Sequence, residues 1–281
     1  MGNVINTNVK ALMASNALNK NGRFQQNVME SLSTGKSINR ASDNAAGLSI
    51  RETMTAQING LGAAIKNAND GVSQLQTADG ALNEVSSMFQ RMRELAVLSV
   101  NDTYSSTQKT AMSTEFNQLS AEITRISEQT QWNGMNVLTG SGGNPGAAAG
   151  ASVYTFQVGA NTAQTLTVTI PVMSIAQCSV TGDSIATAVG ATSAIADLDG
   201  SISELNGYRS TIGATINRLE HAIDNLTNVQ QHASDSRSKV EDTDYASATS
   251  ELARTQIIAQ AATAILAQAN QQPQSVLSLL K

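Results

Sequence analysis

Apolar positions along this chain fall into three long rhythms with steps of three and four residues. The first runs Ile58, Leu61, Ile65, Ala68, Val72 and Leu75, then resumes after Asp79 with Leu82, Val85, Phe89, Met92 and Ala96. The second is Met112, Phe116, Leu119, Ile123 and Ile126. The third is Ile195, Leu198, Ile202, Leu205, Tyr208, Ile212, Ile216, Leu219, Ile223, Leu226 and Val229. Such steps keep a stripe on one side of an α-helix, so each rhythm predicts a helix with one face in a bundle core. The first predicts a helix of about 55 residues starting near Asn44, about 80 Å long at 1.5 Å per residue.

Between the second and third rhythms the pattern changes. "TGSGGNPGAAAGA" (139–151) has the composition of a connector and cannot sustain a helix. The following "VYTFQVGANTAQTLTVTIPV" alternates in polarity and is rich in Val, Thr, Tyr and Phe. It predicts a β-hairpin with strands at about 153–158 and 164–170 around "GANTAQ", the second strand stopped by Pro171. Residues 172–192 show no period and are expected to be irregular.

The two ends of the chain carry looser helical spacing. Near 3–34 the apolar residues include Val9, Leu12, Met13, Leu18, Phe24, Val28 and Leu32. Near 243–280 they include Leu252, Ile257, Ile258, Ala261, Ile265, Leu266 and Ala269, and the chain closes on "SVLSLLK" with Val276, Leu277 and Leu280. Isolated helices of this kind are marginal in water. Even paired with each other they leave apolar positions uncovered, so the ends are expected to order only within an assembly. The expected fold class is mainly α: a long, coiled-coil-like helical bundle with paired terminal helices and one small β-hairpin at about 153–171. The expected domains are a terminal coiled coil of 1–43 plus 238–281, and a helical domain of 44–237 that contains the hairpin.

Composition narrows the function. Of 281 residues 14% are charged and 3% aromatic, with a formal net charge of −5, which suits long helices with thin cores and argues against nucleic acid. No apolar run reaches the length of a membrane span, and "MGNVINTNVKALMASNALNK" has no signal-peptide core. Gly2 is followed by Asn6 where a myristoylation motif needs Ser or Thr. Cys178 stands alone, so no internal disulfide can form. His221 and His232 are the only histidines and lie about 16 Å apart on one helix, too far to share a metal. "GSGGNPG" lacks the GK[ST] of a phosphate loop, and no CxxC or HExxH occurs. No catalytic residue, cofactor or metal is expected. Glu241, Asp242 and Asp244 in "KVEDTDY" are expected to cap and solvate the joint before the last helix.

Several stretches carry a resemblance. "VINTNVKAL", "ESLSTGKSINRASDNAAGLSI", "NANDGVSQLQTADGALNEVSSMFQRMRELAV", "ISEQTQWNGMNVL", "SRSKVEDTDYA" and "LARTQIIAQAATAILAQANQQPQSVLSLLK" resemble bacterial flagellin, in order, over roughly 1–140 and 195–281. The resemblance implies a structural subunit of the bacterial flagellar filament, secreted through the type III flagellar export apparatus and extracellular. It implies that both termini pair in the innermost tube of a helical homopolymer. The residues expected to pack there are Val9, Leu12, Leu32, Leu252, Ile258, Ile265, Leu266, Val276, Leu277 and Leu280. About 55 residues separate the matching flanks, so outer domains are expected to be absent or vestigial.

The same resemblance implies further partners. An export chaperone would hold about 240–281, and filament cap and hook-junction proteins would meet the polymer's ends. A vertebrate flagellin-sensing Toll-like receptor would contact Arg91, Leu95 and Glu115, with Arg91 and Leu95 on one helix face and Phe89, Met92 and Ala96 turned inward. No membrane partner is implied. Two other readings stay open on residues alone: a hook–filament junction protein, and a coiled-coil adhesin or signalling module.

Overall fold

A computed structural model describes residues 8–139, 151–171 and 184–279. Its elements in chain order are α1 (Val9–Thr34), α2 (Ala45–Val100), α3 (Ser106–Gln129), β1 (Gln131–Trp132), β2 (Met135–Asn136), β3 (Ala151–Gln157), β4 (Thr165–Pro171), α4 (Ala188–Glu241) and α5 (Tyr245–Leu279). The chain groups into two compact units, one of residues 1–58 with 232–281 and one of residues 59–231. These divisions fall inside α2 and α4, whereas the boundaries expected from sequence sit near helix ends.

In the unit of 59–231, the heptad carries the core. Leu61, Ala68, Leu75, Leu82, Phe89 and Ala96, each seven residues after the last, are at most 5% exposed. On α4 the buried beats are Leu198, Leu205, Leu219 and, between them, Ile212, with Leu226 at the fading end. The intervening Ile195, Ile202, Tyr208, Ile216 and Ile223 pack against that core only partly buried. Val229, the last beat, is exposed. From α3, Phe116 and Ile123 fill the same core, with Met112, Leu119 and Ile126 at its edge.

Local chemistry sets the ends of these helices. Asn44 accepts from the backbone N–H of Gly47 through its side chain, opening α2. Ser105 and Gln108 form a reciprocal capping box at the start of α3. Thr187 accepts from the N–H of Gly190, and α4 begins at Ala188, inside the stretch expected to be irregular. Its first turns carry only small core residues, Ala191 and Ala194, so no bulky rhythm announces them.

Two antiparallel strand pairs complete this unit. The pair β1–β2 closes on Asn133 and Gly134, whose φ angles of 49° and 76° mark the two-residue turn that Asn-Gly favours. The pair β3–β4 aligns Ala151 with Pro171 and Gln157 with Thr165, so the hairpin runs within two residues of its expected bounds. Tyr154, Val168 and Ile170 bury its inner face, and the Tyr154 hydroxyl donates to the Asn136 carbonyl. Phe156 lies over Gly71 of α2, where a Cβ would meet its ring at 3.0 Å. Gly71→Val is therefore expected to destabilise the folded chain by about 1–3 kcal/mol, the usual cost of overpacking. Thermal unfolding followed by circular dichroism checks this, and an unchanged midpoint would show that the hairpin can shift freely.

In the other unit, α1 and α5 pack along each other. The Asn8 amide donates to the Ala269 carbonyl, the Asn21 amide to the Thr255 carbonyl, and the Tyr245 hydroxyl to the Leu32 carbonyl, so the two helices run antiparallel. Most of the connector 139–151, residues 172–183 and Leu280 lie outside the described residues.

Candidate assembly interface

The seam between α1 and α5 is built from modest side chains. On α1 the partly buried positions include Ala11, Ala14, Leu18, Asn21, Gln25, Val28 and Leu32. On α5 the partly or fully buried positions include Ala248, Leu252, Thr255, Ala259, Ala262, Leu266 and Ala269, again in steps of four and three. Both sets follow a heptad, but alanines and amides fill more than half of the α1 positions and alanines more than half of those on α5. No residue of α1 is fully buried. Among the α5 side chains that the structure describes, only Thr255 and Ala269 are. At about 25 cal/mol per Å² of apolar area, such a seam yields far less than the Leu- and Phe-rich core of the other unit.

Beside the leucines of the seam, many of the larger apolar side chains of the pair face outward. Val9, Leu12 and Met13 are 55%, 59% and 68% exposed, and Ile257, Ile258 and Ile265 are 66%, 43% and 58% exposed. Phe24 and Met29 are exposed as well. Ile258 and Ile265, seven residues apart, flank the seam on the same side. Of the ten residues expected to pack in an assembly, Val9, Leu12, Ile258 and Ile265 thus lie on free faces. Leu32, Leu252 and Leu266 instead line the α1–α5 seam. Val276 and Leu277 belong to α5, but their side chains, like Leu280, lie outside the described residues.

At the joint between these helices, two segments run antiparallel for three residues. Gly35 closes α1 in the left-handed region at φ 72° and its N–H donates to the Ser31 carbonyl. The Ser37 N–H then donates to the Glu241 carbonyl at 2.6 Å, the Thr243 N–H donates to the Gly35 carbonyl at 3.0 Å, and Lys36 bridges Asp242. Asp244 caps α5 by accepting from the N–H of Ala246, as its position suggested. Glu241 does not behave as a solvated end. Its side chain is 7% exposed and faces Lys36 at 2.5 Å, Arg51 at 3.6 Å and Arg237 at 3.9 Å. Sequence reasoning missed this cluster because Lys36 and Arg51 lie far from Glu241 along the chain, though three cations and an acid near helix ends are each visible in it. An open cavity of about 580 Å³ adjoins it, lined by polar and charged side chains.

The three residues expected to meet a receptor are not equivalent. Arg91 pairs with Glu115 of α3 at 2.9 Å and with Glu94 at 2.6 Å, all roughly half exposed. Hydrogen bonds to Glu115 and then Glu94 hold the Arg91 guanidinium protonated even more firmly than usual. Leu95 corrects the expectation: it is 2% exposed, within the core beside Met92 and Ala96. Residues four apart differ by about 40° around a helix. That angle separates the last buried position on this side of α2 from the first exposed one, because α2 is covered by more than one neighbour and its buried arc is wider than a two-helix seam.

Among the described residues no three His, Cys, Asp or Glu side chains are placed to hold a metal, and no helix is long and apolar enough to cross a membrane. Comparison with known proteins supplies the context for these surfaces. Residues 5–142 match the bacterial flagellin N-terminal helical region and residues 195–280 the bacterial flagellin C-terminal helical region. A flagellin of Halalkalibacterium halodurans is 42% identical over 280 residues, covering 99% of this chain and 100% of the relative. A flagellin of Bacillus subtilis is 38% identical over 302 residues, covering 99% of each. The crystal structure of Bacillus cereus flagellin is 29% identical, covers 57% of this chain and 88% of its own, and superposes with a TM-score of 0.47. Two family regions in the right order and full-length relatives decide among the readings the residues left open: the chain belongs to the bacterial flagellins, the structural subunits of the flagellar filament.

Proposed function

We propose that the outward faces of the α1–α5 pair are the surfaces through which copies of this chain polymerise, and that the pair becomes fully ordered only on polymerisation. The observation that carries this reading is the split of its apolar residues: the seam pairs a few leucines with alanines and amides, while Val9, Leu12, Met13, Ile257, Ile258 and Ile265 face water. A marginal pair gains its missing burial from neighbouring copies. Contacts that repeat from copy to copy without closing a ring build a helical filament. Electron microscopy of the purified chain after salt-induced assembly tests this. Long filaments support it, whereas discrete oligomers or monomers overturn it.

The same weakness suits export as an unfolded chain through the type III flagellar apparatus. An export chaperone would cover the segment of about 240–281 and its exposed isoleucines, and cap and hook-junction proteins would cover these faces at the filament's ends. Limited proteolysis of the monomer is expected to trim both termini and leave a fragment of about 45–235, since a pair with so little burial opens readily. Monomer that resists trimming, or a trimmed fragment that polymerises like the whole chain, would refute the assignment.

A second reading concerns a host partner. Arg91 and Glu115 present an exposed charged pair bridging α2 and α3, and arginines commonly anchor interfaces. On this reading a vertebrate flagellin-sensing Toll-like receptor contacts Arg91 and Glu115 on the monomer, while Leu95 supports that surface from beneath.

A further inference from the structure

We propose that Glu241 is the positioning residue of assembly: its negative charge fixes how the α1–α5 pair leaves the ends of α2 and α4. The proposal rests on the polymerisation reading above. Three observations carry it. First, Glu241 is the only carboxylate among the described residues whose side chain is so deeply buried and faces three cations: Lys36 from the connecting segment, Arg51 from α2 and Arg237 from α4. Second, its backbone belongs to the crossing itself, because the Glu241 carbonyl accepts from both the N–H and the hydroxyl of Ser37. One residue at the end of α4 therefore joins the segment after α1 by its main chain and faces Arg51 at the start of α2 with its side chain. Third, one of the cations is itself anchored. Arg51 donates to the Ile38 carbonyl and to the Glu52 carboxylate, and these bonds hold it facing Glu241 at 3.6 Å along the segment that follows α1.

A buried carboxylate is tolerated only when it faces opposite charge, and cations brought to Glu241 from the segment after α1 and from α2, beside Arg237 of its own helix, make its charge sensitive to their mutual placement. Removing the charge leaves three cations with no common focus. Lys36 and Arg237 can turn to water, being 48% and 32% exposed, so the fold persists while the crossing loosens. Every copy in a filament repeats the direction in which its terminal pair departs. A loosened crossing spreads that direction and raises the concentration needed for growth.

The test compares Glu241→Gln, Glu241→Asp and Lys36→Gln in the full chain. Glu241→Gln keeps the shape and removes the charge, and is expected to raise the critical concentration for assembly about tenfold or more, with helix content unchanged and faster tryptic cleavage after Lys36. Glu241→Asp keeps the charge and is expected to recover most of the loss, which a role in shape alone would not produce. Lys36→Gln replaces no buried side chain and is expected to shift the critical concentration in the same direction, so the proposal stays testable if Glu241→Gln fails to fold. Assembly of Glu241→Gln or Lys36→Gln at the wild-type concentration would overturn it, as would Glu241→Asp failing as badly as Glu241→Gln. Failure of the underlying reading is separate: it would show as normal filaments from a chain carrying a charge on the free face of α5, with the Glu241 variants still impaired.

Discussion

Ile265→Asp is expected to abolish filament growth while the unassembled chain keeps its helix content. Ile265 is 58% exposed and points away from the α1–α5 seam, so a carboxylate there meets water in the monomer and costs the fold almost nothing. In a polymer that covers this face the same carboxylate is buried without a partner. Burying an unpaired charge costs several kcal/mol, and about 1.4 kcal/mol corresponds to a tenfold change in an equilibrium constant. The critical concentration should therefore rise at least about a hundredfold, because each copy added bears the cost. Ile265→Val, which stays apolar, should assemble with a modest increase only. Sedimentation of salt-induced polymer across a concentration series measures both. Filaments from Ile265→Asp at the wild-type concentration would show that this face of α5 remains in water.

The elements legible in the sequence are those whose burial follows one period. Leu61 through Ala96 and Leu198 through Leu226 sit in cores built largely by helices, and a heptad rhythm survives from residue order to packed structure. The β-hairpin at 151–171 was legible for the same reason, by alternation. What escaped has other causes. The β1–β2 pair has strands of two residues, too short to display alternation, although Asn133-Gly134 is a strong turn signal. The start of α4 hid behind alanines, which pack closely but make no apolar peak. Glu241 read as a solvated acid because its burial depends on Lys36 and Arg51, distant in sequence and brought to it only by the crossing at the joint. Among the assembly residues, periodicity identified the apolar positions of α1 and α5. It did not separate those that line the seam, such as Leu252 and Leu266, from those left free, such as Ile258 and Ile265, since adjacent heptad positions differ by only a fraction of a turn.

The same limit decides the expected behaviour of the α2–α3 surface. Leu95→Ala should destabilise the folded chain by about 2–5 kcal/mol, the cost of removing a leucine side chain from a packed core and leaving a cavity. Leu95 is 2% exposed among Met92, Ala96 and the rest of that core, so its loss is felt in folding before it is felt at any surface. Arg91→Ala should leave the unfolding midpoint nearly unchanged. Its partners Glu94 and Glu115 are as exposed as Arg91 itself, and exposed ion pairs add little to stability. The two substitutions should part again in a receptor reporter assay with purified monomer. Arg91→Ala is expected to lower potency with its thermal unfolding intact, because an exposed arginine acts only by direct contact. Leu95→Ala is expected to lower potency in proportion to its loss of folded structure, and to recover at lower temperature where that structure returns. Unchanged potency for Arg91→Ala would discard the α2–α3 pair as a receptor contact. A Leu95→Ala chain that unfolds like wild type yet signals poorly would place Leu95 in direct contact after all, which its burial in the core argues against.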